Sequence, residues 1–271
     1  MLKKELEEGI VNMAEKNPWY GYKRIAVMCR RSELQVSDRQ VYRVMKLHKL
    51  LQKRRGKNIA ETYQAAKLFA LLPQKANDLW QMDVTYLHIP GFGWYYAVTV
   101  IDYYSRYLLA LHLTPSYRAV DCIEGLEKAQ KEAEKIHGKS NRPVILVTDN
   151  GSSFLAKRFQ SVLSDKGFSH VRIRYRTPTQ LGLLERFHGT LKREEIYWNL
   201  YQNPADAREK LQIFHERYNK ERPHWALRPK EGADPGTPEE VYKGMLIPMI
   251  PKWQGWARKA KEQIEKELEA A

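Results

Sequence analysis

The apolar positions of residues 1–52 recur at helical spacing and predict three short helices. Apolar residues three or four positions apart lie on one face of a helix. Here they are Leu6, Ile10 and Met13, then Ile25, Met28 and Cys29, then Val41, Val44 and Met45. Residues 37–40 have the pattern of a capping box that would begin the third helix. Three short helices of this kind are typical of a helix-turn-helix module, whose last helix enters the major groove of DNA. An ordinary helical bundle is the alternative.

Residues 78–200 alternate between strand-like and helix-like stretches. Three strand-like runs come first, at residues 80–87, 94–102 and 106–113, joined by short turns. Helical and strand-like runs then alternate, with helices at 119–136, 155–166 and 179–198 and strands at 143–148 and 170–175. An antiparallel meander followed by such alternation predicts an α/β fold with an RNase H-like mixed sheet. Residues 201–271 predict a helical C-terminal extension, with helices near 205–218 and 253–271.

Positive charge is concentrated near the N-terminus. The chain has 46 Lys and Arg against 32 Asp and Glu, a net charge of +14, and residues 1–75 hold 17 of the basic residues against 7 acids. No acid lies between Asp38 and Glu61. A one-sided basic block suits a nucleic acid, although a solvated linker is the alternative. The candidate DNA contacts in this region are Arg39, Arg43, Lys46, Arg54 and Arg55.

Other sequence features narrow the class of protein. No apolar run approaches the length of a membrane span, and the charged first residues do not resemble a secretory signal. Cys29 and Cys122 match neither a disulfide framework nor a zinc-ligand spacing. We therefore expect a protein of the reducing cytoplasm.

Three acids, Asp83, Asp149 and Glu185, occupy positions that suggest chemistry. Asp83 lies within the first strand, Asp149 follows a buried strand and precedes Asn-Gly, and Glu185 lies on a helix. Singly, such residues are more often caps, turn residues or solvated side chains. Two acids from strands and one from a helix can nevertheless converge on a pair of divalent metal ions, a site that cuts or joins phosphodiesters.

The periodicity of the Glu185 helix separates two faces. Leu184, Phe187 and Leu191 are predicted to face the sheet, while Glu185, His188, Gly189 and Lys192 share the neighbouring face. Lys192 is therefore a candidate contact to a DNA phosphate near the acids. Asp102, by contrast, stands at a hairpin and is interpreted as a structural turn residue.

Segments from nearly the whole chain resemble the OrfB part of bacterial insertion-sequence transposases, in the retroviral-integrase superfamily with its DDE site. The N-terminal module is similar at residues 20–25 (YGYKRI) and 36–45 (VSDRQVYRVM). The three acid motifs and the hairpin are similar at 80–86 (WQMDVTY), 100–106 (VIDYYSR), 148–154 (TDNGSSF) and 185–194 (ERFHGTLKRE). The C-terminal signature is similar at 218–227 (YNKERPHWAL) and 237–242 (TPEEVY).

The resemblance implies four regions: a helix-turn-helix domain at 1–52, a basic linker at 53–77, an integrase catalytic core at 78–200 and a helical extension at 201–271. It implies Asp83, Asp149 and Glu185 as ligands of Mg²⁺ or Mn²⁺. One departure is Leu181, where the family often has Asn shortly before the glutamate. Within the C-terminal signature, Arg222 is the candidate phosphate contact and His224 a packing or phosphate-contact residue.

The expected activity is nicking at insertion-sequence ends and joining of the freed 3′-hydroxyl to target DNA. The expected partners are double-stranded DNA, both terminal inverted repeats and target, a second copy of the chain, and an upstream OrfA segment. Two other functions stay open at this point. One is a non-catalytic DNA-binding regulator or transposase remnant, and the other is a nuclease for RNA–DNA hybrids.

Overall fold

The computed structural model describes residues 4–52, 73–140, 142–172 and 182–249. Its N-terminal domain consists of the three predicted helices, α1 (Lys4–Lys16), α2 (Tyr22–Arg31) and α3 (Asp38–Leu47). The predicted capping box is confirmed: the Gln40 backbone N–H donates to the Ser37 hydroxyl, and the Ser37 N–H donates to the Gln40 side chain. The apolar positions that predicted the helices, such as Ile10, Ile25 and Val41, form a buried core.

The second domain is built on one five-stranded mixed sheet. Its strands are β1 (Leu79–Ile89), β2 (Gly93–Asp102), β3 (Leu108–Thr114), β4 (Ile145–Thr148) and β5 (Ser169–Arg172). The strand order is β3-β2-β1-β4-β5, in which β1, β2 and β3 are antiparallel neighbours and β4 lies parallel to both β1 and β5. The predicted meander and mixed sheet are therefore confirmed.

Six α-helices accompany this sheet in the described ranges. They are α4 (Ala119–His137), α5 (Ser152–Leu155), α6 (Lys157–Asp165), α7 (Gly182–Glu194), α8 (Pro204–Lys220) and α9 (Pro238–Tyr242). Two predictions need correction. The helix predicted at 155–166 is α6, which begins only at Lys157 because Ala156 has extended backbone angles, φ −59° and ψ 133°; the short helix α5 before it was not predicted. The helix predicted to reach residue 198 ends at Glu194 and is followed by a separate 3₁₀ turn, Ile196–Trp198. The helix predicted at 253–271 lies outside the described residues.

Strand alternation divides the core into two layers. Trp80 and Met82 belong to a cluster with α4 and α6, whereas Leu79 and Leu87 belong to a cluster with α7 and α8. The three residues predicted to face the sheet from α7, Leu184, Phe187 and Leu191, are all buried in the second cluster. Asp83 has the same parity along β1 as Leu79 and Leu87, so its side chain is on the α7 side.

The N-terminal domain rests on the second domain through polar contacts. The Arg30 guanidinium donates two hydrogen bonds of 2.6 Å to the Asp234 carboxylate, and Arg31 pairs with Glu240 at the start of α9. The Trp19 ring meets the Trp198 ring edge-on at 6.1 Å.

Both cysteines are free and buried. Within the described ranges, no helix combines the length and apolar character needed to cross a bilayer.

Candidate active site

Asp83 and Asp149 occupy equivalent levels of neighbouring parallel strands. The register aligns Gln81 of β1 with Val147 of β4. Asp83 and Asp149 lie two residues beyond these partners, just where β4 ends and β1 continues. Sheet geometry therefore brings the two carboxylates to the same edge, as the sequence pattern predicts.

Glu185 joins them from the first turn of α7. Its side chain is exposed, whereas that of Asp83 is partly buried. Burial, with a smaller effect from the charges of Asp149 and Glu185, raises the pKa of Asp83 to about 7, against a hydrogen bond from the Val84 N–H. The acids thus lie near enough for two of them to disfavour ionisation of the third.

The turn after Asp149 holds its carboxylate in place. The Gly151 N–H donates a hydrogen bond of 2.8 Å to Asp149 Oδ1. A Cβ on residue 151 would lie only 3.0 Å from that same oxygen, so glycine allows the close approach. The Asn-Gly pair that indicated a turn in the sequence therefore has a specific function, which is to fix the carboxylate at the end of β4.

His188 is fixed against Asp83 through Thr99. The Thr99 hydroxyl donates to the Asp83 carbonyl oxygen at 3.0 Å, and it lies 2.9 Å from His188 Nε2. Since the hydroxyl proton is already used, Nε2 must donate to Thr99, which leaves Nδ1 as an acceptor 3.7 Å from Asp83 Oδ2. Burial, with the charge of Lys192, lowers the pKa of His188 to about 4. The ring is therefore neutral and does not compensate the acids.

Thr99 is the residue of this site that sequence reasoning missed. It is completely buried in β2, directly opposite Asp83 in the antiparallel register. A polar residue inside the apolar run of β2 was the available signal, but only the register shows that it lies beside the acid.

The donor chemistry of the three acids fits a hard cation. Carboxylate oxygens are the ligands that Mg²⁺ prefers, and Mg²⁺ retains several waters, so a few carboxylates suffice. Among the described residues, His188 is the one side chain within ion-pair distance of Asp83. The described ranges hold no group of three His, Cys, Asp or Glu side chains already spaced to bind a metal ion. The site therefore has suitable oxygens and uncompensated charge without a preformed three-residue cage.

The predicted DNA contacts lie in different environments. Arg39, Arg43 and Lys46 are exposed and recur at helical spacing on one face of α3. Lys192 is partly buried, with its Nζ 4.7 Å from the centre of the Tyr86 ring. Arg54 and Arg55 lie outside the described residues, as does most of the predicted linker.

Arg222, also predicted as a phosphate contact, is buried, unlike the predicted contacts on α3. Only 6% of it is exposed, and its Nε and Nη2 each donate a hydrogen bond of 2.9 Å to the Glu194 carboxylate. Burial opposes the charged guanidinium, but the Glu194 carboxylate outweighs it and raises the pKa of Arg222 above its usual value. Arg222 is therefore a buried structural cation rather than a surface contact to a phosphate.

Asp102 has the structural role that the sequence indicated. It is fully buried and accepts hydrogen bonds from the Ser105 N–H, the Ser105 hydroxyl and the Asn77 N–H. Burial raises its pKa to about 6 against these bonds. Its carboxylate ties the turn after β2 to the start of β1.

Comparison with known proteins places these features in a family. Residues 73–178 match a family described as the integrase core domain, residues 166–230 match a second family with the same description, and residues 1–58 match an HTH-like domain. The chain is 27% identical over 230 residues to the transposase for insertion sequence element IS904 of Lactococcus lactis subsp. lactis, covering 79% of this chain and 86% of that protein.

A second relative is longer than this chain. It is the insertion element IS476 uncharacterized 39.2 kDa protein of Xanthomonas euvesicatoria, which is 24% identical over 219 residues. The match covers 81% of this chain but 61% of that protein, so the chain spans less than two thirds of its length.

The fold is also that of a solved integrase. A chain of the simian T-cell lymphotropic virus intasome, solved in complex with PP2A regulatory subunit B56 gamma, aligns with a TM-score of 0.51 and 19% identity over 89% of this chain and 77% of that one. This likeness shows the RNase H-like fold. The two integrase core matches adjoin one another over residues 73–230, and the chain therefore carries an integrase core domain with an HTH-like domain before it.

Proposed function

We propose that this chain is a DNA transposase that nicks the ends of an insertion sequence and joins the freed 3′-hydroxyl to target DNA. The observation that carries the proposal is that Asp83 and Asp149 end on one sheet edge, with Glu185 near enough for its charge to raise the pKa of Asp83. The similarity to an insertion-sequence transposase supports DNA as the substrate. The exposed basic face of α3 supports binding of duplex DNA by the N-terminal domain.

Asp83, Asp149 and Glu185 would hold the Mg²⁺ or Mn²⁺ ions that this chemistry uses. When bound, such a metal pair supplies charge neutralisation and a deprotonated nucleophile for in-line displacement at phosphorus. The protein contributes the alignment. The two aspartates are set by the β1–β4 register, and Glu185 is set by the packing of α7 on the sheet.

Two further residues would prepare the site for a strand of DNA. His188 is neutral and hydrogen-bonded to Thr99, which donates to the Asp83 carbonyl oxygen and so links α7 to the backbone that carries Asp83. Lys192 lies two turns after Glu185 on the same helical face, where its ammonium group would meet a phosphate beside the acids. Joining two element ends also requires two such sites, so we propose that at least two copies assemble on DNA, with an OrfA segment as a further partner.

The test is a nicking and strand-transfer assay on DNA that carries the cognate element ends, with Mg²⁺ or Mn²⁺ present. Asp149→Asn is expected to abolish both reactions. The matched control is Asp165→Asn, which changes an exposed acid near the end of α6 and should retain activity. Equal activity of wild type and Asp149→Asn would refute the proposal.

A metal-binding measurement separates this proposal from a non-catalytic DNA-binding regulator. Titration of Mn²⁺ should raise the melting temperature of the wild type because bound metal relieves repulsion among the acids. Asp149→Asn should lose most of that increase, and Asp165→Asn should keep it. If the chain binds element ends but shows neither the metal effect nor cleavage, the regulator is the correct function.

A further inference from the structure

A cavity of about 660 Å³ adjoins the acid site along α7. It is enclosed by α2, by the turn after β2, by α7 and α8, and by residues 222–226. Its volume lies within the range of small-ligand pockets and is large enough for a nucleotide. Glu185 also lines this cavity, so an occupant would lie beside one of the three acids.

The cavity is strongly basic. Five arginines line it: Arg24, Arg106, Arg186, Arg193 and Arg222. Glu194 neutralises Arg222 and lies 3.9 Å from Arg24. Among the described residues, no acid forms an ion pair with Arg106, Arg186 or Arg193. The Arg186 guanidinium lies near Gly182 and that of Arg193 near Gly189, about two turns apart along α7. Planar guanidinium groups in such a row are suited to phosphates, whose oxygens accept paired hydrogen bonds.

Two polar atoms in the wall have no partner in the part of the chain that the structure describes. They are Arg24 Nε and His224 Nδ1, and both are buried. Burial, together with the neighbouring arginines, holds the pKa of His224 well below its usual range, so the ring is neutral. A buried donor without an acceptor costs free energy. Neither atom contacts solvent, so an oxyanion in the cavity would become that acceptor only after a small rearrangement of the wall.

The remaining wall is aromatic. Tyr103 and Trp225 both line the cavity, and 39% of Trp225 is exposed. The guanidinium of Arg106 lies over the Tyr103 ring at 4.6 Å, and that of Arg228 lies over the Trp225 ring at 4.7 Å. Aromatic faces stacked with arginine offer surfaces on which an unpaired base can stack.

We propose that this cavity binds one nucleotide of a DNA strand, with the phosphates on its two sides at Arg186 and Arg193 and its base against Trp225. The inference rests on the proposed function and adds a position on the substrate, the nucleotide next to the bond that the acids process. Arg24 belongs to α2 and Arg186 to α7, so the nucleotide would contact both domains at once. A free phosphate offers the same chemistry, and the experiment separates the two sources.

The experiment measures DNA binding by the full chain in EDTA, so that no cleavage occurs. The probe is a labelled duplex with a short single-stranded overhang. The variant is Arg186→Ala combined with Arg193→Ala, both exposed on α7, and the matched control is Arg208→Ala, an exposed arginine on α8 that does not line the cavity. We expect the double variant to lose about tenfold in affinity and about one unit of salt-dependence slope. The control should behave as wild type.

Replacement of single overhang phosphates by neutral methylphosphonates refines the test. For wild type, a methylphosphonate at one position of the overhang should weaken DNA binding. For the double variant, the same replacement should weaken binding no further. A double variant that binds like Arg208→Ala, with intact phosphate sensitivity, overturns the proposal. These outcomes do not depend on catalysis. A chain that fails to cut DNA can still bind the nucleotide in this cavity, and a chain that cuts DNA can lack this binding.

Inorganic phosphate and deoxyadenosine monophosphate distinguish a small-anion site. Thermal shifts are measured for wild type and for His224→Gln with each ligand. Two results together support the proposal. The mononucleotide stabilises wild type more than inorganic phosphate does, and this difference is lost in His224→Gln. If inorganic phosphate stabilises equally and the double variant keeps full DNA affinity, the cavity is a small-anion site and the nucleotide proposal is wrong.

Discussion

Glu185 and Glu194 stand at opposite ends of α7 and have opposite surroundings. Glu194 is 5% exposed, and Arg222 satisfies both of its oxygens. Glu185 is exposed and forms no ion pair among the described residues, yet its charge raises the pKa of Asp83. The same helix therefore carries one acid that the protein neutralises and one that it leaves uncompensated beside two others.

The two surroundings have opposite effects on the stability of the folded chain. A buried carboxylate with a bidentate arginine contributes a fixed link between α7 and the segment after α8. The raised pKa of Asp83, to which Asp149 and Glu185 contribute, marks a cost in free energy to the folded chain. Such a cost is typical of functional sites, where cation binding can compensate it. Each prediction below changes one side of this comparison.

The largest effect is expected from Glu185→Gln. Loss of this carboxylate should reduce strand cleavage on the order of 1000-fold, about 4 kcal/mol of transition-state stabilisation. The melting temperature without metal should not fall, because no ion pair of the described residues is lost. Cleavage kinetics and thermal unfolding together check this. A stable variant with unchanged cleavage would place Glu185 outside the reaction.

Glu194→Gln should produce the reverse pattern. Removal of one partner leaves the Arg222 charge buried and unpaired, which costs about 3 kcal/mol or more. Urea unfolding measures the loss. The double variant of Glu194→Gln and Arg222→Met should recover part of the lost stability, since the unpaired buried charge is then removed as well. A surface-like loss of a few tenths of a kcal/mol would show that the pair is hydrated in solution.

Glu195 should give a pH-dependent stability. Burial raises its pKa to about 7, opposed by Arg217. Because the folded pKa is above the unfolded value of 4.5, its favourable contribution is complete below about pH 4.5 and is lost as the pH rises through 7. Relative to wild type, Glu195→Gln should therefore be more stable at pH 8 than at pH 5, by about 2 kcal/mol. Urea unfolding at both pH values measures it, and a pH-independent difference would contradict the raised pKa.

The smallest effect is expected from Thr99→Val. The variant keeps the shape of the side chain but loses the hydroxyl that links His188 to the Asp83 carbonyl. Cleavage should fall about tenfold, as for other residues that orient metal ligands. Thr114→Val, which changes a buried threonine at the far end of β3, is the matched control. Equal rates of the two variants would reduce Thr99 to a packing role.

Much of this arrangement could be predicted because it is local. Strand and helix periodicities fix which face each side chain occupies, so Leu184, Phe187 and Leu191 were placed correctly. The pairing of Arg222 with Glu194 could not be predicted, since nothing near Arg222 in the sequence indicates which element packs against it. The break at Ala156 was missed for a related reason. Alanine favours helix, and tertiary packing overrides that preference.

The contacts between the two domains fix the distance between α3 and the acid site. Arg30 and Arg31 at the end of α2 pair with Asp234 and Glu240, while the basic face of α3 is exposed. If that face reads DNA, the number of base pairs between the sequence read and the bond cut is set by the protein. Partly exposed ion pairs weaken as salt rises. The contacts that fix this distance therefore weaken as ionic strength rises. The position of the cut should then become less uniform at salt concentrations that still allow cutting.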